Sequence, residues 1–573
     1  MNRCAVWAPN ASRVEVLTNG ARLLMSPSDC GWFELREREV RAGQDYSFVI
    51  DGGNPRPDPR SPWQPDGVHG ASRAVDHDAF AWTDQGWNGR ALADAVIYEV
   101  HTGTFSEPGT FDGAIEHLTH LVELGVTAVE LLPVTAFPGW RGWGYDGVDL
   151  YAVHEAYGGP DALKRLVDAC HAAGIAVVMD VVYNHLGPDG NYLGEFGPYF
   201  TDRHRTPWGD AINYDGAQSD EVRRFVVDNA LMWLRDYHCD GLRLDAVHAI
   251  VDTSAIHLLE EISTAVHELS SALGRELWVI AESDLNDPRV VRSRERGGYV
   301  CDAQWSDDFH HALHASLTGE TSGYYADFGR VEDVALSLED VFVNPGGYSA
   351  FRQRRHGRSV GDLRATRFLG YLQNHDQVGN RAQGERSAAL MSAGRLQIAA
   401  ALVLLGPFVP MLFAGEEWAA STPFQYFTDH QDAELGRLVS EGRRREFASF
   451  GWDPADVPDP QDPATFERSK LRWTEPDSEP HAAFLRWHRD LIAVRATTPS
   501  LRDGDRSALS VDFDEAARWL VMRRPGVTVA CNWGDTAIEL PVRQDTEVMA
   551  NVTPQWTATG LLLPAEAVVV TRA

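Results

Sequence analysis

The sequence predicts an α/β protein, a (β/α)8 TIM barrel flanked by an N-terminal β-sandwich and a C-terminal β-sandwich. Three observations carry that expectation. Short strand-like runs separated by turn residues fill residues 1–90 and return over 501–573. Between them, over 91–500, apolar strands alternate with amphipathic helices. Eight such strands spread over about 400 residues, with no glycine-rich phosphate loop after the first, favour a closed barrel over an open doubly wound sheet.

In the N-terminal region the strand runs 13–18, 32–35 and 46–50 are separated by Asn19-Gly20, Cys30-Gly31 and Asp51-Gly52-Gly53. The proline-rich stretch 54–63 lacks the N–H groups that a central strand needs. The alternating region opens with a strand over 96–100. A helix over 110–124 is expected from the stripe Ile115, Leu118, Leu121, Val122 and Leu124, stopped at Gly125. A strand at 126–132 precedes a helix that starts at Pro160, turns Leu163, Leu166, Val167 and Cys170 inward, and ends at Gly174. The almost unbroken apolar run 175–182 reads as a strand buried on both faces. Further strands are expected at 241–246, 277–282, 303–305, 368–373 and 409–413. The apolar stretch 396–413 is interrupted by Gln397, Gly406, Pro407 and Pro410, so it reads as a buried helix followed by a strand rather than a membrane span. Arg443–Arg445 reads as a solvated helix face. The final β-region has strand runs at 519–523, 527–532, 547–552 and 567–571.

Composition narrows the partners. A formal net charge of −32 repels nucleic-acid phosphates and anionic lipid but not a neutral polymer. Six cysteines without CxxC or paired spacing fit reduced thiols in a cytosol. The first residues lack the apolar core of a signal peptide. Eighteen tryptophans are many for 573 residues and suit a site that stacks on sugar rings.

In a barrel of this kind the chemistry sits at the C-terminal ends of the strands. Four segments place charged residues there: Asp180 to His185, Asp240 to His248, Val279 to Ser283 and Gln373 to Gln377. Asp180 closes a wholly apolar run, where an unpaired charge is costly. Arg243 and Asp245 are two apart on a strand and so face the same side. The arginine favours an ionised Asp245, as a nucleophile requires. Glu282 closes an apolar strand, and desolvation there raises its pKa, as a general acid requires. A metal reading of His185, His248 and His375 finds no HxxxH or HxH pair among them.

At these four segments, in their order and spacing, the chain resembles the α-amylase family of glycoside hydrolases. The resemblance spans the barrel, and the flanking β-regions fit it. It implies that Asp245 is the nucleophile, Glu282 the acid and then base, and Asp376 the carboxylate that grips the sugar hydroxyls. It implies retention of configuration. Tyr145 matches the aromatic under the reacting ring, and His185, Arg243 and His375 match residues that hydrogen-bond that ring. His248 joins them as a candidate substrate-binding residue, although His248 and Ala249 stand where many members carry Lys-His. Asn184 occupies a position used for structural calcium in many members. The companion pattern is missing, so no metal and no cofactor is expected, and Asn184 is assigned structural hydrogen bonds.

Within the family, the stretches 186–192, 410–430 and 436–452 are similar to a branch that cuts the α-1,4 bond next to a terminal α,α-1,1-linked disaccharide of an α-glucan. The opening run Val6 to Ala11 is shared with branching and debranching enzymes, which are the alternative reading; a catalytically dead glucan-binding protein is a third. The loop from Glu416 to His430, with Trp418, Phe424, Tyr426 and Phe427, either contributes to substrate binding or packs on the barrel rim.

Overall fold

The computed structural model describes residues 4–36, 40–206, 208–448, 453, 455–545 and 547–572. Eight parallel strands close into a barrel in chain order: β1 (Ile97–Val100), β2 (Ala128–Leu131), β3 (Ala176–Val181), β4 (Gly241–Leu244), β5 (Trp278–Ala281), β6 (Ala303–Trp305), β7 (Phe368–Gly370) and β8 (Val409–Phe413). Side chains alternate in and out along each strand. The inward set Ile97, Ala128, Ala176, Val178, Trp278, Ile280, Trp305, Leu369 and Met411 forms one buried cluster that fills the barrel. The next inward positions toward the C-terminal ends are polar: Glu99 lies beside Glu130, and Asp180 beside Arg243.

The outer helices follow from sequence with two differences. The predicted helix 110–124 is split into α1 (Phe111–Ile115) and α2 (Leu118–Leu124), with His117 off helical geometry between them. Splitting rotates the stripe, and Val122 ends 48% exposed instead of buried. Gly125, at φ 93°, caps α2 as expected. Helix α3 (Gly159–Ala172) buries Leu163, Leu166, Val167 and Cys170, and Gly174 takes the left-handed conformation beyond it. Helices α4 (Ser219–Arg235) and α5 (Leu258–Leu273) follow β3 and β4. The β5–β6 connection carries no α-helix; two 3-10 turns, Pro288–Val291 and Arg294–Arg296, make the crossing. Helix α6 (Asp307–Thr318) follows β6, α7 (Ala393–Leu405) precedes β8, and α8 (His481–Thr497) packs on α7.

Before the barrel, Ala5–Trp7, Trp32–Glu34 and Ser26–Pro27 form one sheet, and Val14–Thr18, Ala21–Leu24, Asp45–Ile50 and two short strands form a second. The proline-rich stretch contributes only Pro55–Arg56, an edge strand on Asp45–Ile50. After the barrel, a five-stranded and a three-stranded sheet enclose Val521, Ala530, Leu540, Leu561 and Val569. Their junction with the barrel is apolar, with Leu520, Val529, Val568 and Val570 in one buried cluster with Ile398 and Leu402 of α7, and buried Trp533 donates to Ser316 of α6 at 3.2 Å. No helix among the described residues is long and apolar enough to cross a membrane.

The basic run is a solvated face only in part, with Arg445 exposed. Helix Ala433–Ala448 turns Arg443 inward, where it donates to the Gly379 carbonyl at 2.5 Å and lies over the rings of Tyr426 and Phe447. Arg444 pairs with Asp459 at 3.0 Å.

Candidate active site

Arg243 is the hub. It projects from β4 into the barrel with no exposed surface and touches three carboxylates. Its Nη1 donates to both oxygens of Asp180 (2.9 and 2.8 Å) and to Asp245 Oδ1 (2.9 Å). Its Nη2 lies 2.8 Å from Glu282 Oε2. The guanidinium stacks 4.3 Å above the Trp305 ring, which closes its lower face against water. Burial works against the charge, but Asp180, Glu282 and Asp245 outweigh it, so Arg243 stays charged.

Each carboxylate has its own surroundings. Asp245 accepts from Asn184 Nδ2 at Oδ2 (2.6 Å), and the same amide reaches the Asp245 carbonyl (2.9 Å). Glu282 Oε2 accepts the Ala246 N–H at 2.7 Å, where the chain turns left-handed at φ 38° just after β4. Burial pushes the Glu282 carboxyl up, and Asp245 adds to that, while Arg243 and the Ala246 N–H oppose it. This is the direction expected from the sequence. Burial likewise raises Asp180 to about 7, helped by Asp245 and opposed by Arg243 and Tyr145. Asp376 opens a short helix, His375–Gly379, capped by Asn374, and stays 39% exposed at its side chain.

Tyr145 and His375 form the adjoining wall. Their rings stack, with centroids 5.2 Å apart and planes 18° from parallel. The Tyr145 hydroxyl donates to Asp180 Oδ2 (2.6 Å) and faces His375 Nε2 (2.8 Å). Glu99, at the end of β1, takes both the backbone N–H (2.9 Å) and Nδ1 (2.6 Å) of His375. His375 Nε2 is 3.6 Å from Asp376 Oδ1. Trp143 packs edge-on against His375 and stacks on Phe424. A Cβ on Gly379 would lie 2.0 Å from the Trp143 ring. Gly379→Ala is therefore expected to cost about 1–3 kcal/mol of stability and to lower kcat/KM. Thermal melting together with initial rates checks this, and an unchanged melting temperature would refute the close packing.

Asp180, Asp245, Glu282, Arg243, Tyr145 and His375 thus meet in one network, with Asp376 at its edge. His185 joins through Asn184 and through the Tyr145 carbonyl at 3.0 Å, and it stacks on the exposed Trp208. His248 stands apart from Asp245. Its nearest charged partner is Asp284 at 3.8 Å, which in turn accepts from Arg352 at 3.0 Å.

Sequence reasoning did not single out Glu99, Trp305, Asp284, Arg352 or Trp208. Glu99 interrupts the apolar strand 96–100 as Asp180 interrupts its own, so the same criterion would have found it. Arg352 and Trp208 come from loops without a periodic signal. In the loop 416–430 the packing alternative holds for three aromatics. Trp418, Phe424 and Phe427 are buried, with Phe424 against Trp143 and Trp418 against Trp473. Of the stretch 436–452, residues 449–452 lie outside the described residues.

A closed parallel barrel whose C-terminal rim gathers desolvated carboxylates around one arginine defines a glycoside hydrolase of the α-amylase class. The alpha-amylase catalytic-domain family matches residues 76–205, and a domain of unknown function (DUF3459) matches 504–570. The malto-oligosyltrehalose trehalohydrolase of Arthrobacter ramosus is 54% identical over 543 residues, 94% of each chain. That of a Rhizobium species is 50% identical over 547 residues, 94% of this chain and 92% of the relative. A crystal structure of an alpha-amylase-type protein from Salmonella typhimurium superposes with a TM-score of 0.92 at 39% identity, covering 100% of this chain and 97% of that one. By contrast, a 1,4-alpha-glucan branching enzyme from Pseudoalteromonas atlantica is 36% identical over 60% of this chain and 53% of its own. The chain belongs to the malto-oligosyltrehalose trehalohydrolase family.

Proposed function

We propose that this chain hydrolyses the α-1,4-glucosidic bond next to the trehalose end of a maltooligosyl trehalose, releasing trehalose and a shorter maltooligosaccharide. The observation that carries this reading is the near full-length likeness to trehalohydrolases, set against the partial likeness to a branching enzyme. The site supplies the chemistry. Asp245, held by Arg243 and oriented by Asn184, attacks the anomeric carbon. Glu282, whose carboxyl burial pushes up toward the protonated form, gives its proton to the glycosidic oxygen as trehalose leaves. Glu282, now ionised, takes a proton from water, which attacks the same carbon and frees Asp245. One guanidinium bridges both carboxylates, which supports the short separation of about 5–5.5 Å that retention uses, rather than the wider gap of inverting enzymes. Asp376 grips the ring hydroxyls, Tyr145 lies under the ring, and His185, Arg243 and His375 complete its polar wall.

The acid lies on the leaving-group side, so the groups beside Glu282 face the departing trehalose. His248, Asp284 and Arg352 gather there, with Phe351 exposed at 46% next to Arg352. Polar pairs and an exposed ring suit a disaccharide that offers hydroxyls and a pyranose face. The substrate is an uncharged α-glucan, consistent with a net charge of −32 that disfavours nucleic acid and anionic membrane. All six cysteines are free, in keeping with a reducing, cytoplasmic setting.

Chromatography of products from maltotriosyl trehalose, beside maltopentaose as a control, tests the reading. Fast release of trehalose with slow cutting of the control is the expected result. Equal rates on both, or longer and branched products from the control, would move the chain to the amylase or branching alternative while leaving the carboxylate roles in place.

A further inference from the structure

The inward-facing polar layer beneath the site contains two acids for which the reaction as described has no use, Glu99 and Glu130. They are register partners on β1 and β2, and both are buried. Their environments differ sharply. Glu99 binds the backbone N–H and Nδ1 of His375. Neither carboxyl oxygen of Glu130 has a hydrogen-bond partner. Two carboxylates side by side in a dry barrel cannot both ionise at small cost.

We propose that Glu99 is a positioning residue: it holds His375 as a doubly protonated imidazolium, which sets the Tyr145 hydroxyl on Asp180 and keeps Tyr145 and Asp376 in place for the reaction, while Glu130 stays neutral. This rests on the catalytic reading above. The hydrogen-bond count supports it. A phenol has one proton, and Tyr145 gives it to Asp180. At 2.8 Å from His375 Nε2, the Tyr145 oxygen can therefore only accept, so Nε2 must carry a proton. Glu99 accepts the backbone N–H at one oxygen, and as a carboxylate it can only accept at the other, so Nδ1 at 2.6 Å carries a proton too. A neutral His375 would put a nitrogen lone pair against the tyrosine oxygen, or turn the hydroxyl away from Asp180.

The charges that face the ring come from every neighbouring element: Glu99 on β1, Glu130 on β2, Asp180 on β3, Arg243 on β4, Asp376 beside it, and the buried His101 and Tyr145. Burial opposes the imidazolium and Arg243 repels it, but Glu99 and Asp376 prevail and lift His375 to about 9. Burial, reinforced by Glu99, pushes Glu130 well above the usual carboxylate range.

Glu99→Gln keeps the shape and one of the two acceptor oxygens but removes the charge. In the variant His375 loses its second proton at lower pH. The alkaline limb of kcat/KM on maltotriosyl trehalose should therefore move down by about two pH units, a loss of about tenfold at pH 8 recovered near pH 6. Glu130→Gln, which replaces a neutral acid with a neutral amide, should leave the profile in place. Nitrogen-15 spectra of histidine-labelled wild type, with His375 assigned by its loss in His375→Gln, read the ring without any assay. Both ring nitrogens should be protonated at pH 7.5. A neutral His375 in those spectra, or a Glu99→Gln profile that overlays the wild type, overturns the proposal. Failure of trehalose release with the imidazolium present would instead count against the catalytic reading alone.

Discussion

Asp245→Asn should lower kcat by about four to six orders of magnitude and leave the melting temperature within a few degrees of the wild type. An amide cannot attack the anomeric carbon, so the first displacement has no nucleophile. The fold has little reason to suffer. Asparagine keeps an oxygen for Arg243 Nη1, now 2.9 Å from Asp245 Oδ1. The guanidinium retains Asp180 and Glu282, which lie within 2.9 Å of it. Only the contact from Asn184 to Oδ2 is exposed to loss, because two amide N–H groups can meet there. Initial rates and calorimetry on the same preparation separate the two effects. Residual activity above about one per cent would remove Asp245 from the nucleophile role.

The largest expected effect on stability is at Arg243. Arg243→Met fills similar volume over Trp305 but leaves Asp180, Asp245 and Glu282 buried together without a cation. Breaking a buried ion pair from one side costs about 3–5 kcal/mol, because the abandoned charge stays in the dry interior. Here three carboxylates are abandoned at once, and protonation relieves them. Their folded-state pKa values rise above the unfolded ones, so the variant binds more protons folded than unfolded, and its deficit shrinks as pH falls. Urea unfolding at pH 7.5 and pH 5 should show a large loss at the first and a smaller one at the second. Activity should be absent at both. A deficit equal at the two pH values would mean that packing on Trp305, rather than charge, is the role of Arg243.

The sequence made most of this site legible because its constraint is local and repetitive. A charge that ends an apolar strand must have a partner, and strand alternation says which face it uses. That reasoning located Asp180, Arg243, Asp245 and Glu282. It stopped at pairings across strands: that one arginine serves three carboxylates depends on β3, β4 and β5 pairing side by side in the register they have. Loop residues escaped for another reason. Arg352 and Trp208 sit where no period constrains the chain, so nothing short of tertiary structure brings them to the rim. The helix expected over 110–124 was broken at His117 by packing, which outweighs propensity over so short a span. Arg443–Arg445 misled because a basic run looks solvated until a neighbouring carbonyl and two rings are found to claim Arg443.

Asn184 gives Asp245, the proposed nucleophile, a property that its charge does not. One amide nitrogen holds both the carbonyl and the carboxylate of Asp245, while Arg243 holds the other carboxylate oxygen. Rotation about either side-chain torsion of Asp245 would break at least one of these bonds. The carboxylate therefore waits in a single rotamer before any sugar arrives, and the freedom that an unrestrained aspartate would lose on the way to the covalent intermediate has already been lost on folding.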